Sequence, residues 1–316
     1  MYKRIISVLT IISLIILQLS LSSCKDSETD NDKLKIVTTI FPLYDFTEQI
    51  AGDAADVSLL LRAGQDIHSY EPSPQDIISI RNCDLFIYIG GESDEWVNGI
   101  LSSLDKKPKT LALIDAVPLL HEAEIGGEHE HVHDGEDEED EEYDEHIWTS
   151  PKRALYMVDA IKSSIIECDK QNEKLYHSNA EDYSNKLREL DSVIENTVKN
   201  GKRKLLVFGD RFPFLYFTHD YNLRAEAALS GCAENSEPSS KRITELAEIV
   251  TENSIPVVLF AEMSNGNLAD TICSETGAVK YVFHSCHNLT NDEWSAGDDY
   301  ISIMYKNAEV LKKALS

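Results

Sequence analysis

The 316-residue sequence predicts an α/β protein of two lobes, each a roughly four-stranded parallel sheet flanked by helices, joined by a long rigid helix. Short, β-branched apolar runs alternate with helical patterns in both halves of the chain, as expected for parallel sheets covered on both faces. A stretch without strand candidates separates the halves. The apolar content of 42% is enough to build real cores.

Residues 1–24 predict an export signal. Lys3 and Arg4 precede a long apolar run over 5–21, and Leu21-Ser22-Ser23-Cys24 follows it. This last segment resembles the bacterial lipobox, and the resemblance implies lipidation of Cys24 and a polar tether over 25–33. The protein is then expected on the outer face of the cytoplasmic membrane or in the periplasm, in contact with the lipid bilayer through Cys24. The alternative is an uncleaved anchor helix.

An N-terminal α/β lobe is predicted over 34–150. Its strand candidates are 34–40, 57–61, 85–89 and 110–114, with helical patterns around 43–51, 74–81 and 96–104.

Residues 151–200 predict a helical linker, and 201–316 a second α/β lobe. Leu175, Tyr183, Leu187, Leu190 and Ile194 mark an apolar stripe on a helix from about 171 to 199, roughly 43 Å long at the standard rise. The strand candidates of the second lobe are 204–208, 223–229, 257–261 and 280–283.

The loop over 121–145 is rich in histidine and acid. Between His121 and His146 lie fourteen Asp and Glu residues and no Lys or Arg. Imidazoles among carboxylates suit divalent first-row metals, so His129, His131 and His133 are candidates for weak metal sites. A solvated acidic loop is the alternative. The H-E-x-x-H match at His129–His133 lacks the apolar face of a packed helix, which disfavours a zinc hydrolase.

Charge and cysteine content restrict the partners. The formal net charge is −27, and removing the fourteen acids of the loop leaves 42 acidic and 29 basic residues, or −13. Nucleic acid is therefore a poor partner, and cations are favoured. Beyond Cys24 there are five cysteines, an odd number. We expect Cys83 and Cys273 in the core, whereas Cys232 and Cys286 are candidates for either a disulfide or soft metal ligands.

Three histidines follow strand candidates. His68 comes after 57–61, His146 after 110–114 by way of the acidic loop, and His284 directly after 281–283. Ligands of open α/β sheets collect beyond the carboxyl ends of the strands, so all three are candidate metal ligands in a cleft between the lobes.

Four segments carry a family resemblance: GQDIHSYEPSPQD, CDLFIYIGGESDEWV, DEHIWTSP and GAVKYVFHS. They resemble the zinc and manganese solute-binding lipoproteins of bacterial ABC importers, the cluster 9 or ZnuA-like family. The resemblance implies that His68, His146 and His284 bind the metal. Gly209 stands where the family normally has a further His, which leaves the fourth ligand open. The candidates are His287 first and Cys286 second, then Asp210, Cys232, Glu262, a loop residue or water, whereas His219 reads as part of a surface turn.

By this resemblance, the protein is a receptor that captures Zn²⁺ as transported substrate and delivers it to the permease and ATPase of an ABC importer. Three imidazoles suit tetrahedral zinc better than manganese, which favours more carboxylate oxygens. No enzyme chemistry is expected. A metalloenzyme would need an open coordination site with a nearby general base, and the sequence has no packed H-E-x-x-H helix and no G-x-S-x-G motif. The alternatives are a manganese or iron receptor of the same family and a metal-storage or adhesin lipoprotein.

Overall fold

Two parallel sheets of four strands each organise the part of the chain described by the computed structural model, which comprises residues 33–66, 69–121, 143–229 and 238–316. The strand order is β2-β1-β3-β4 in the first sheet and β6-β5-β7-β8 in the second. All registered pairs are parallel. The predicted fold class is confirmed.

The N-lobe elements alternate along the chain: β1 (Leu34–Thr38), α1 (Phe41–Ala51), β2 (Ala55–Leu59), α2 (Pro74–Asn82), β3 (Leu85–Tyr88), α3 (Glu95–Ser103) and β4 (Lys109–Ala112). Most of the predicted strands run one or two residues past the observed ends. At Ile40 and Ile89 the reason is that the chain has left the sheet but the side chains are still fully buried, so an apolar run outlasts its strand.

Two helices connect the lobes: α4 (Pro151–Cys168) and α5 (Glu173–Asn200). Helix α5 has 28 residues, close to the predicted 171–199. Its buried stripe is Tyr176, Ala180, Tyr183, Leu187, Leu190, Ile194 and Val198. The expectation for Leu175 was wrong, since it is 42% exposed and Tyr176 takes the buried position beside it.

The C-lobe repeats the alternation: β5 (Leu205–Phe208), α6 (Leu215–Asp220), β6 (Arg224–Ala227), α7 (Ser240–Glu252), β7 (Val257–Phe260), α8 (Asn267–Thr276), β8 (Val279–Val282), α9 (Asn291–Ala296) and α10 (Tyr300–Ala314).

One apolar cluster runs through both lobes. It includes Ile36 and Leu85 of the first sheet, Leu206 and Leu259 of the second, and the stripe of α5 between them. Two smaller clusters cover the outer faces of the sheets. The two lobes are therefore joined by shared core as well as by chain. Across the four described ranges, no helix is both long and apolar enough to cross a membrane.

Candidate metal centre

His146 lies at the carboxyl-terminal side of the first sheet and is 3% exposed. Its neighbour Asp144, 4% exposed, fixes the imidazole. The Asp144 Oδ1 atom accepts the His146 backbone N–H at 2.8 Å and lies 3.0 Å from Nδ1. A carboxylate accepts but cannot donate, so Nδ1 carries the proton and Nε2 keeps the lone pair that a metal needs.

The loop after β3 holds the other side of the DEH segment. The Glu145 carboxylate accepts the backbone N–H of Ser93 at 3.0 Å and also the Ser93 hydroxyl. A Cβ at Gly91 would lie 2.4 Å from Glu145 Cβ, so only glycine allows this close approach. Two motifs that are 50 residues apart in sequence thus interlock beside His146.

His287 comes from the loop after β8. Its Nδ1 lies 2.5 Å from Ser285 Oγ, and that hydroxyl donates to Glu262 Oε1 at 2.6 Å. Because the single hydroxyl proton of Ser285 goes to Glu262, the His287 Nδ1–H must be the donor in the other bond. In His287, as in His146, Nε2 is therefore the ring nitrogen that keeps its lone pair.

The rings of His146 and His287 are in contact. Their centroids are 4.8 Å apart and the planes meet at 79°. Two imidazoles on one tetrahedral zinc, with Zn–N bonds of about 2.0–2.1 Å, place their centroids about 5 Å apart. The observed spacing fits a shared ion.

Trp148 forms the wall behind both imidazoles. Its ring centroid is 5.3 Å from that of His146 and 4.9 Å from that of His287, and the side chain is fully buried. The indole N–H donates to Ser285 O at 2.8 Å, and Tyr300 Oη donates to Trp148 O at 2.7 Å. Trp148 thereby links the segments that carry the two histidines.

A cavity of about 40 Å³ adjoins His287. Gln65 and Asp66 line it from the N-lobe, and Arg211, Glu262 and Ser285 are among its C-lobe residues. Asp66 and Arg211 pair across it at 3.6 Å. The space suffices for an ion or one or two waters. It opens where the sequence predicted a cleft, beyond the strand ends of both sheets.

His284 is buried but points its ring nitrogens at other partners. Nδ1 accepts the Cys286 N–H at 2.9 Å, and Nε2 lies 3.4 Å from Glu293 Oε2. The hydrogen bond from His284 lowers the pKa of Glu293 to about 2, so this carboxylate stays ionised. The structure pairs His146 with His287, while the ring of His284 supports the turn that leads to His287.

Gly209 directly follows β5 and lies against the backbone of α8. A Cβ there would lie 2.6 Å from Ala269 Cα and 2.8 Å from Ala269 N. The backbone at this position leaves no room for a side chain. The neighbouring Asp210 is also engaged, because its carboxylate accepts the backbone N–H groups of Arg211 and Ala261.

The remaining candidates are placed as follows. Cys286 is fully buried in the large apolar cluster, and Cys83 is 8% exposed. Cys273, by contrast, is half-buried, packed against the outer cluster of the C-lobe. His219, near the end of α6, has a side chain 57% exposed. His68, His129, His131, His133, Cys24 and Cys232 lie outside the described residues.

No group of three or more His, Cys, Asp and Glu side chains converges in ligand geometry within residues 33–66, 69–121, 143–229 and 238–316. The imidazole pair is thus the part of the centre that the described residues supply. Asp144, Trp148 and Ser285 were missed in the sequence. Only Asp144 gave a signal, since it lies two residues before a candidate ligand.

The sequence matches known proteins along most of its length. Residues 36–314 match the family described as zinc-uptake complex component A, periplasmic. The zinc-binding lipoprotein AdcA of Streptococcus pneumoniae (strain ATCC BAA-255 / R6) is 37% identical over 297 residues, 93% of this chain, and the chain spans 58% of that relative's length. The high-affinity zinc uptake system protein ZnuA of Bacillus subtilis (strain 168) is 31% identical over 93% of this chain and 92% of its own.

Solved structures of similar proteins have the same fold as this chain. The Zn(II)-bound ZnuA-like domain of Streptococcus pneumoniae AdcA superposes with a TM-score of 0.74 at 35% identity, covering 90% of this chain and 99% of that one. The metal-dependent lipoprotein YcdH of Bacillus subtilis gives a TM-score of 0.76 at 30% identity, with coverage of 90% and 99%. The chain belongs to the family of zinc-uptake complex component A.

Proposed function

We propose that this protein is an extracytoplasmic receptor that binds one Zn²⁺ tightly through His146 and His287. His68, two residues after the cavity-lining Asp66, supplies the third imidazole. The observation that carries the proposal is the contact of the two imidazole rings, in each of which the hydrogen bond at Nδ1 leaves the lone pair on Nε2. This assigns the ligand role in HSCH to His287, and gives His284 the task of holding the turn.

We expect the fourth metal ligand to lie on the side of the site that faces the cavity. Glu262 is the nearest protein candidate, because its carboxylate lines the cavity and reaches His287 through Ser285. A water in the cavity is the other. Cys286 is disfavoured, because a thiolate ligand would have to leave the apolar cluster in which the side chain is fully buried.

A receptor of this kind also has a membrane location and protein partners. Cys24 is the lipid attachment site that holds the protein at the outer face of the membrane, and the loaded receptor delivers Zn²⁺ to the permease of an ABC importer driven by its ATPase. The family and the two zinc-binding relatives support this role. No enzymatic step is part of it.

Titration calorimetry on ligand variants tests the site. His68→Ala, His146→Ala and His287→Ala should each weaken the tight Zn²⁺ site at least about 100-fold, since each removes a metal–nitrogen bond. His219→Ala is the matched control and should bind as the wild type does, because His219 is exposed and away from the pair.

Tight binding that survives His287→Ala but is lost in His284→Ala would reverse the assignment within HSCH. Several equivalents of similar affinity and no tight one would instead indicate metal storage.

A further inference from the structure

The buried side-chain amide of Asn288 connects the two lobes next to the candidate metal centre. Asn288 is fully buried, and its Nδ2 group donates to Arg62 O at 2.6 Å and to Gln65 O at 3.0 Å. Its Oδ1 accepts the Leu289 N–H at 2.8 Å. Both amide protons and one acceptor of the side chain are therefore used, and the two carbonyls belong to the other lobe.

Backbone contacts reinforce this connection. Gly64 N donates to Leu289 O at 2.8 Å, and Phe41 N lies 3.4 Å from His287 O. The N-lobe loop after β2 and the C-lobe loop after β8 thus run side by side. Asn288 is the residue whose side chain holds them at a fixed separation.

The position of Asn288 in the sequence places this contact beside two of the proposed metal ligands. It directly follows His287, and Gln65 comes three residues before His68. Gln65 also lines the cavity that adjoins His287. A displacement of the two loops relative to each other would therefore alter the distance between ligands that different lobes contribute.

We infer that Asn288 is a positioning residue for metal binding, which sets the spacing of the ligand-bearing loops of the two lobes through its paired hydrogen bonds to Arg62 O and Gln65 O. This inference rests on the proposed ligand role of His287. Its energetic basis is pre-organisation: a metal that meets ligands already at the right spacing does not have to bring two loops together on binding.

The informative variant is Asn288→Asp in the full-length protein. It keeps the shape and the oxygen that accepts the Leu289 N–H, but it removes both donors and sets a carboxylate oxygen against two carbonyl oxygens. Asn288→Ala removes the donors without adding charge, and it serves if the Asp variant does not fold. Asn179→Asp is the matched control, because the Asn179 amide donates to Ile50 O at 3.0 Å between α5 and the C-terminal end of α1, at the opposite end of that helix from Phe41.

Three measurements are made on each variant: the Zn²⁺ dissociation constant, the rate of Zn²⁺ loss to a chelator, and the visible absorption of the Co²⁺-substituted protein. We expect Asn288→Asp and Asn288→Ala to weaken Zn²⁺ binding about 10- to 100-fold with faster loss, as for residues that orient metal ligands. The Co²⁺ spectrum should lose its tetrahedral intensity. The melting temperature of the metal-free protein should fall in Asn288→Asp and in Asn179→Asp alike, whereas Zn²⁺ affinity should fall only in the Asn288 variants.

The inference is overturned if both Asn288 variants bind Zn²⁺ within about 3-fold of the wild type while His287→Ala has lost the site. It is also overturned if affinity falls only in step with stability, equally in the Asn179 control. If His287→Ala itself retains tight binding, the ligand assignment fails first, and the role of Asn288 fails with it.

Discussion

At the scale of single residues, Gly209 stands where the family resemblance implied a further histidine. The backbone there lies so close to Ala269 that a Cβ would be 2.6 Å from a main-chain atom. The site proposed above therefore takes no ligand from this position and instead includes the imidazole of His287, on the loop after β8.

Gly209→His should therefore not create a better zinc site. We expect the variant to lose about 1–3 kcal/mol or more of unfolding free energy, because α8 must move to admit the side chain. Zn²⁺ affinity should not rise. Urea denaturation and calorimetry check the two statements, and a variant of unchanged stability with tighter Zn²⁺ binding would contradict them.

Residue identity was only partly predictable from sequence at the site. His146 was predicted from the DEHIWTSP motif and from its place after the fourth strand candidate. In HSCHN, by contrast, two imidazoles and a thiol occupy four positions, and spacing alone does not tell which one faces the cleft. That choice depends on side-chain hydrogen bonds of Ser285, Glu262 and Glu293, which come from three separate segments.

At the scale of elements, the two described ends of the acidic tract lie together. His121 and Tyr143 form an isolated antiparallel bridge with their rings stacked at 4.6 Å, and Asp144 N donates to Leu120 O at 3.1 Å. Asp144 and Glu145 beyond it are buried and hold His146 and Ser93. Asp144 and Glu145 thus belong to the packed surroundings of His146 although they continue the acidic sequence of the tract.

A deletion of 122–142, with a short glycine linker between His121 and Tyr143, should keep one tight Zn²⁺ per molecule and lose only weak sites. The linker replaces a connection whose ends already pair, so His146 keeps its partners. Calorimetry at several metal ratios measures both classes of site. A longer deletion of 122–145 is the contrast: it also removes Asp144 and should weaken the tight site about 10- to 100-fold. Equal tight binding in both deletions would contradict the role of Asp144.

The helices and strands were the part of the structure that the sequence predicted best. Helix α5 and the eight strands follow from apolar periodicity, because buried faces repeat every two or 3.6 residues. Strand ends were less predictable, as Ile40 and Ile89 show, since burial continues where the sheet hydrogen bonds have stopped.

At the scale of the whole molecule, Asp45 joins three parts of the structure. It lies in α1, is 6% exposed, and accepts the Tyr183 hydroxyl of α5 at 2.7 Å. The Tyr300 backbone at the start of α10 also donates to it, and Asp299 and Glu48 are close. Burial, opposed by the Tyr183 hydrogen bond, raises the pKa of Asp45 to about 7.

The raised pKa predicts a pH-dependent stability. The folded state holds the Asp45 proton up to pH about 7, whereas the unfolded chain releases it near pH 4. Its contribution to stability is therefore complete below about pH 4 and is lost at about 1.4 kcal/mol per pH unit as pH rises from there to about 7. Above pH 7 both states are ionised, so the slope from this group ends.

Asp45→Asn, which stays neutral, should remove that part of the slope between about pH 5 and 7 in metal-free protein followed by urea denaturation. Asp53→Asn at an exposed position is the control. Parallel slopes for wild type and Asp45→Asn across this range would show that the pKa of Asp45 is not raised in the folded protein.

The apolar cluster that runs through both lobes and α5 bears on how an importer would distinguish loaded from empty receptor. Separating the lobes would pull that cluster apart and expose its side chains to water, at a cost of about 25 cal/mol for each Å² of apolar surface. For the proposed receptor we therefore expect the metal-bound and metal-free states to differ mainly in the loops after β2 and β8. A permease that binds the proposed receptor would then recognise a local change in the surface around the cleft and not a change in the angle between the two lobes.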